Sequence, residues 1–117
     1  MTNIVAGVTF DCVDPQRVAG FWSALLGREQ GPSQDGWVYL GHRCDPQPRL
    51  VFQPVPEAKA GKVRIHLDVS VPDIGEAIEF VTALGGHFTG ERHDYDEGAV
   101  VVMADPEGHE FCLVQYY

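Results

Sequence analysis

Positive charge is scarce in this sequence, with 8 Lys and Arg against 17 Asp and Glu and a formal net charge of −9. Such a chain repels phosphate backbones and anionic headgroups, so nucleic acid and membrane surfaces are excluded as expected partners and a small molecule or another protein is favoured. Cysteine is sparse too. The three thiols, Cys12, Cys44 and Cys112, are odd in number and show no CxxC spacing, which argues against a disulfide framework and a structural zinc site. No apolar run is long enough to span a bilayer, and Met1 to Gly7 lack a basic segment leading into an apolar one, so a soluble, cytoplasmic protein is expected. A Gly-rich phosphate loop, a Gly-x-Ser-x-Gly elbow and a His-Glu-x-x-His helix are all missing. Nucleotide hydrolysis, acyl transfer and zinc proteolysis therefore have no support.

What is present is enough for one domain. The chain has 117 residues, 44% of them hydrophobic, and can bury a core. From Val5 to Val13 the apolar Val8, Phe10 and Cys12 alternate with Gly7, Thr9 and Asp11, the pattern of a strand buried on one face. Asp14-Pro15 offers an N-cap and a first-turn proline. Val18, Phe21, Trp22, Leu25 and Leu26 then form a helical stripe that Gly27 stops. Short strands are expected near 28–31, 37–42 and 49–53, separated by segments rich in proline, glycine and polar residues.

After a connecting loop over 54–61 the pattern recurs. Ile65, Leu67, Val69 and Val71 alternate with His66, Asp68 and Ser70. Asp73 and Glu76 make a capping box, and Ile74, Ala77, Ile78, Val81 and Leu84 form a second stripe ended by Gly85-Gly86. Three more strands are expected at 87–91, 98–104 and 110–115. The last follows the turn Asp105-Pro106-Glu107-Gly108, with His109 as a hydrogen-bonding turn residue. The acidic run 94–97 reads as a solvated loop, with Tyr95 able to cover a cavity mouth.

Two strand–helix–three-strand modules predict an α+β fold: tandem βαβββ units in one curved, mostly antiparallel eight-stranded sheet, with the helices on its convex face. The expected limits are 3–54 for module one, 55–61 for the linker and 62–117 for module two. If Val8, Phe10, Ile65 and Leu67 face the helices, alternation places Thr9, Asp11, Gln53, His66, Asp68, Ser70 and Cys112 on the concave side. Trp37 and Tyr39 share a face that belongs either to the cavity wall or to outer core.

This organisation, the segment Arg64-Ile65-His66-Leu67-Asp68-Val69 leading to Asp73, and the closing Asp105-Pro106-Glu107-Gly108-His109-Glu110-Phe111 resemble the vicinal oxygen chelate superfamily, which includes glyoxalases, bleomycin-resistance proteins, fosfomycin-resistance enzymes and extradiol dioxygenases. The resemblance runs over nearly the whole chain and is similar in flavour to short bacterial glyoxalase-like proteins. It implies a divalent metal held by four side chains, one from the first and one from the last strand of each module. It also implies a homodimer. Carried over, the ligand positions are Gly7, either Gln53 or Val51, His66 and Cys112. Gly7 has no donor and Cys112 stands where glutamate is usual, so a metal held by the family's four ligands is not expected.

The expectation is thus a small-molecule-binding protein with a degenerate metal site. His66 and Asp68 are the candidate catalytic groups, and Gln53, Cys112, Trp37, Tyr39 and Asp11 are candidate ligand contacts. An alternative is a lyase, isomerase or dioxygenase working through an atypical metal site or by acid–base chemistry. A protein-interaction module, with Phe80 off its helical stripe, is a third.

Overall fold

The computed structural model describes residues 4–42 and 45–117, so Cys44 lies outside the described residues. The chain forms two compact units, Met1–Ala58 and Lys59–Tyr117. In the first, β1 (Gly7–Cys12) leads into α1 (Pro15–Leu26), followed by β2 (Val38–Leu40) and β3 (Arg49–Pro54). In the second, β4 (Asp68–Ser70) leads into α2 (Ile74–Ala83), followed by β5 (His87–Tyr95), β6 (Gly98–Ala104) and β7 (Glu110–Tyr116).

Both helices start as their sequences require. The Asp14 carboxylate accepts from the Arg17 N–H at 3.3 Å, with Pro15 in the first turn. The Asp73 carboxylate accepts from the Glu76 N–H at 2.9 Å. Each bond satisfies an N–H that the helix leaves without an internal partner. Gly27, at φ +64°, ends α1 in the left-handed conformation that costs glycine nothing.

Each sheet carries its helix on one face. In the first unit the order is β1-β3-β2, with β1 and β3 parallel. Trp22, fully buried on α1, meets Phe10 at a ring separation of 5.3 Å, and Phe10 stacks on Phe52 at 5.0 Å. In the second unit the order is β4-β7-β6-β5, with β4 and β7 parallel and the other pairs antiparallel. Ile74 and Val81 of α2 are buried, as are Val101, Met103, Phe111 and Leu113 of β6 and β7.

In place of the expected single eight-stranded sheet, the described residues form seven strands in two sheets. Residues 28–31 make only an isolated bridge, Gln30 to Leu40, plus the Gly31 N–H to the Tyr39 carbonyl. Pro32 has no N–H with which to extend that ladder. The strand expected from Ile65 begins instead at Asp68, and Ile65, expected to face the helix, is 85% exposed. The Cys112 N–H reaches the Leu67 carbonyl, so pairing starts only there, and residues 64–66 approach outside the ladder. Asp94 and Tyr95, expected in a loop, continue β5 past an irregularity that includes Gly90 at φ +94°.

Candidate functional site

The turn before β7 sets the register on which the site depends. The Gly108 N–H donates to the Asp105 carbonyl at 2.9 Å, and Gly108 takes φ +86°. The Asp105 side chain, fully buried, accepts from the backbone N–H groups of Glu107 and His109 at 3.0 Å each. It also lies 2.8 Å from His109 Nδ1. His109 is thus a turn-holding group whose ring and backbone both close on one carboxylate. At the first position of β7, Glu110 accepts from the Val63 N–H at 2.7 Å and pairs with Lys59 at 2.6 Å. Burial alone would raise this carboxyl, but the Lys59 ammonium and the Val63 N–H outweigh it and hold it below the usual carboxylate range.

With β7 anchored, alternation sends Cys112, Val114 and Tyr116 to the sheet face opposite α2. Cys112 pairs with Asp68 on one side and with Val102 on the other, and Val114 pairs with Val100. Side chains directly across a ladder share a face. His66 precedes Asp68 by two positions, and its Nε2 lies 3.3 Å from Asp68 Oδ1. One donor atom each from His66, Asp68 and Cys112 lie within 4.8 Å of one another.

These three side chains form the polar end of a cleft of about 320 Å³, whose floor includes Val100 and Val114 and whose edge carries Tyr95, Glu97 and Tyr116. Gly98, at the same end, is held by sterics: a Cβ there would lie 2.3 Å from the Gln115 carbonyl oxygen. Cys112 is 7% exposed. Burial, followed by the negative charges of Asp68 and Glu91, pushes its thiol above the ordinary cysteine range, so it is a neutral donor at pH 7 and no ready nucleophile.

The other candidates belong to the first unit. Register places Asp11 beside Gln53, and Val51 between Thr9 and Tyr39, on the sheet face opposite α1. Trp37 and Tyr39, with Gln34 and Asp35, line a shallower pocket of about 220 Å³. The Arg49 guanidinium lies over the Tyr39 ring at 4.7 Å, a cation–π contact. Val51 and Gln53 are on the same face, so alternation alone still does not separate them. Sequence reasoning did not single out Val100, Val114 or Tyr116. Continuing the Cys112 alternation by two and four residues would have found the last two.

The resemblance asks the position of Gly7 for the first metal ligand. Gly7 offers no donor atom, and even a Cβ at that position would come within 2.9 Å of the Arg49 carbonyl oxygen. A side chain there requires the paired backbone to move. The position that the resemblance assigns to the first of the four ligands therefore carries none.

A glyoxalase-like domain model matches residues 7–114, and the chain belongs to the glyoxalase-like domain family. Its fold is that of the glyoxalase/bleomycin resistance/dioxygenase group, which makes it a vicinal oxygen chelate protein. A genomically encoded fosfomycin resistance protein of Listeria monocytogenes superposes with TM-score 0.78 at 15% identity, over 100% of this chain and 96% of that one. A glyoxalase/bleomycin resistance protein/dioxygenase family enzyme of Burkholderia phytofirmans gives 0.76 at 14%, over 97% and 98%. Lactoylglutathione lyase of Agrobacterium tumefaciens gives 0.65 at 15%, over 98% and 95%. At such identities the likeness is one of fold. No curated protein sequence matches the chain. Among the described residues, no helix is long and apolar enough to cross a membrane.

Proposed function

We infer that this glyoxalase-like protein binds a small molecule in the second unit's cleft and does so without the family's four-ligand metal set. The observation that carries this is the cleft itself, which combines a polar end at His66, Asp68 and Cys112 with an apolar floor and an edge of two tyrosines and Glu97. Its volume falls at the small end of the range typical of ligand sites. Such a lining suits a compact ligand with a hydrogen-bonding head and an apolar or aromatic body. The family resemblance adds a homodimer acting in the cytoplasm, which light scattering on the purified protein tests for oligomeric state.

Backbone amide NMR during titration with a panel of small aromatic hydroxy acids and catechols tests the site. Shifts at His66, Asp68, Val100, Cys112 and Tyr116 are expected. Shifts confined to Trp37, Tyr39 and Gln53 would move the site to the first unit and defeat the assignment.

A second reading, a lyase, isomerase or dioxygenase, is favoured by one contact: Asp68 lies within 3.3 Å of His66 Nε2, where it could orient the imidazole for proton transfer. His66→Ala abolishing turnover of a cleft-bound substrate, with the fold retained by circular dichroism, supports it. Unchanged turnover removes His66 from the chemistry.

A further inference from the structure

The family's four-ligand arrangement draws on both modules, and Gly7 removes its first member. The second unit nevertheless gathers three donors of different chemistry by itself: an imidazole nitrogen, a carboxylate oxygen and a sulfur. We propose that His66, Asp68 and Cys112 form a three-donor site for a thiophilic divalent cation of the zinc type, with a fourth position open to the cleft. Asp68 would thereby become a ligand, although the resemblance gives it no metal role.

The placement is built into the sheet. Asp68 and Cys112 are direct register partners in the parallel ladder, and the Cys112 N–H donates to the Leu67 carbonyl at 2.9 Å, between His66 and Asp68. A tetrahedral zinc site with ordinary bond lengths separates a nitrogen and an oxygen ligand by about 3.3 Å and an oxygen and a sulfur by about 3.5 Å. His66 Nε2 and Asp68 Oδ1 already stand 3.3 Å apart. With all three atoms inside 4.8 Å, closing the set needs shifts of about 1 Å, within reach of rotations of the exposed His66 and Asp68 side chains.

The donors choose the ion. A thiolate with an imidazole and one carboxylate suits zinc or cobalt and disfavours magnesium and calcium, which take sets of oxygens. The charges near Cys112 are Asp68 and Glu91, both negative, and Lys62, positive, leaving the thiol in a net anionic surrounding. A cation relieves that repulsion. On binding, the Cys112 S–H bond breaks, the sulfur keeps the electron pair and gives it to the metal, and the proton leaves to solvent.

The proposal shares the cleft with the ligand-binding function and rests on that reading only in having the open position meet a bound molecule. Cobalt(II) titration of the full chain tests it. The wild type is expected to develop a near-ultraviolet thiolate-to-cobalt charge-transfer band with intense tetrahedral visible bands, reversed by zinc and not by equal magnesium. Cys112→Ser loses the charge-transfer band, Cys12→Ser keeps it, and Asp68→Asn, at an exposed position, binds cobalt roughly tenfold more weakly. No charge-transfer band in the wild type, or a band that survives Cys112→Ser, overturns the site. Should Cys112→Ser fail to fold, unchanged cobalt affinity in Asp68→Asn overturns it equally. Panel binding by NMR without any band defeats the ion site alone, whereas a band without panel binding defeats the ligand reading alone.

Discussion

Asp105 offers the sharpest stability prediction, because it joins the closing turn to the position of Cys112. Its side chain is fully buried and receives two backbone N–H groups, from Glu107 and His109, and stands against His109 Nδ1 at 2.8 Å. Hydrogen bonds to a charged acceptor contribute about 1.5–3 kcal/mol each, and removing one partner leaves buried donors without the water they had in the unfolded chain. Three such losses are not additive, and the His109 ring, 13% exposed, recovers part of its share from solvent. Asp105→Ala should therefore cost about 3–4 kcal/mol, close to that of breaking a buried pair. Asp105→Asn keeps the shape and an oxygen for both N–H groups, and should cost about 1 kcal/mol. Urea unfolding followed by circular dichroism, with unchanged slope, measures both. An alanine variant within about 1 kcal/mol of wild type would refute the claim that this carboxylate holds the turn.

Other consequences follow from neighbouring contacts. Glu110, held below the usual carboxylate range, contributes stability above the unfolded carboxyl pKa that disappears as pH falls through its folded value. The urea midpoint of Glu110→Gln should thus lie below wild type at pH 7, and the gap should close below roughly pH 4. Cys112, whose thiol is raised by burial and then by Asp68 and Glu91, should alkylate more slowly at pH 8 than a free cysteine, and Asp68→Asn should speed it; peptide mapping separates it from the other two thiols. The same shift predicts that stability falls as pH climbs from the unfolded thiol pKa through the folded one, because only the unfolded chain readily loses that proton. Gly98→Ala, whose Cβ would meet backbone at 2.3 Å, should destabilise by about 2–3 kcal/mol in the same urea assay. Removing the Asp73 cap in Asp73→Ala should cost about 1 kcal/mol.

Features decided within a few residues were legible in the sequence. Asp14-Pro15 and Asp73 with Glu76 start helices where their caps say, Gly27 stops the first, and Asp105 to Gly108 turn the chain. The alternation of Glu110, Cys112 and Val114 likewise survives into β7. What failed depended on distant partners. Ile65 and Leu67 alternate like strand residues, but alternation does not say whether a neighbouring strand begins opposite them, and β7 pairs only from Asp68 onward. Residues 28–31 look extended, yet they make only the bridge from Gln30 to Leu40, and Pro32 removes the donor a ladder would need next. The closeness of Asp68 to Cys112 arises from a parallel register across more than forty positions, which no local pattern encodes.

The central claim is that the face bearing Cys112, Val114 and Val100 is the floor of a small-molecule site. Val100→Trp, which fills that floor from the middle of β6 and leaves His66, Asp68 and Cys112 in place, tests it by isothermal titration with the tightest-binding member of the aromatic hydroxy acid and catechol panel. The account predicts that affinity falls by roughly a hundredfold, about 2.7 kcal/mol, while the fold is retained by circular dichroism. An affinity equal to wild type in a folded Val100→Trp protein would contradict it.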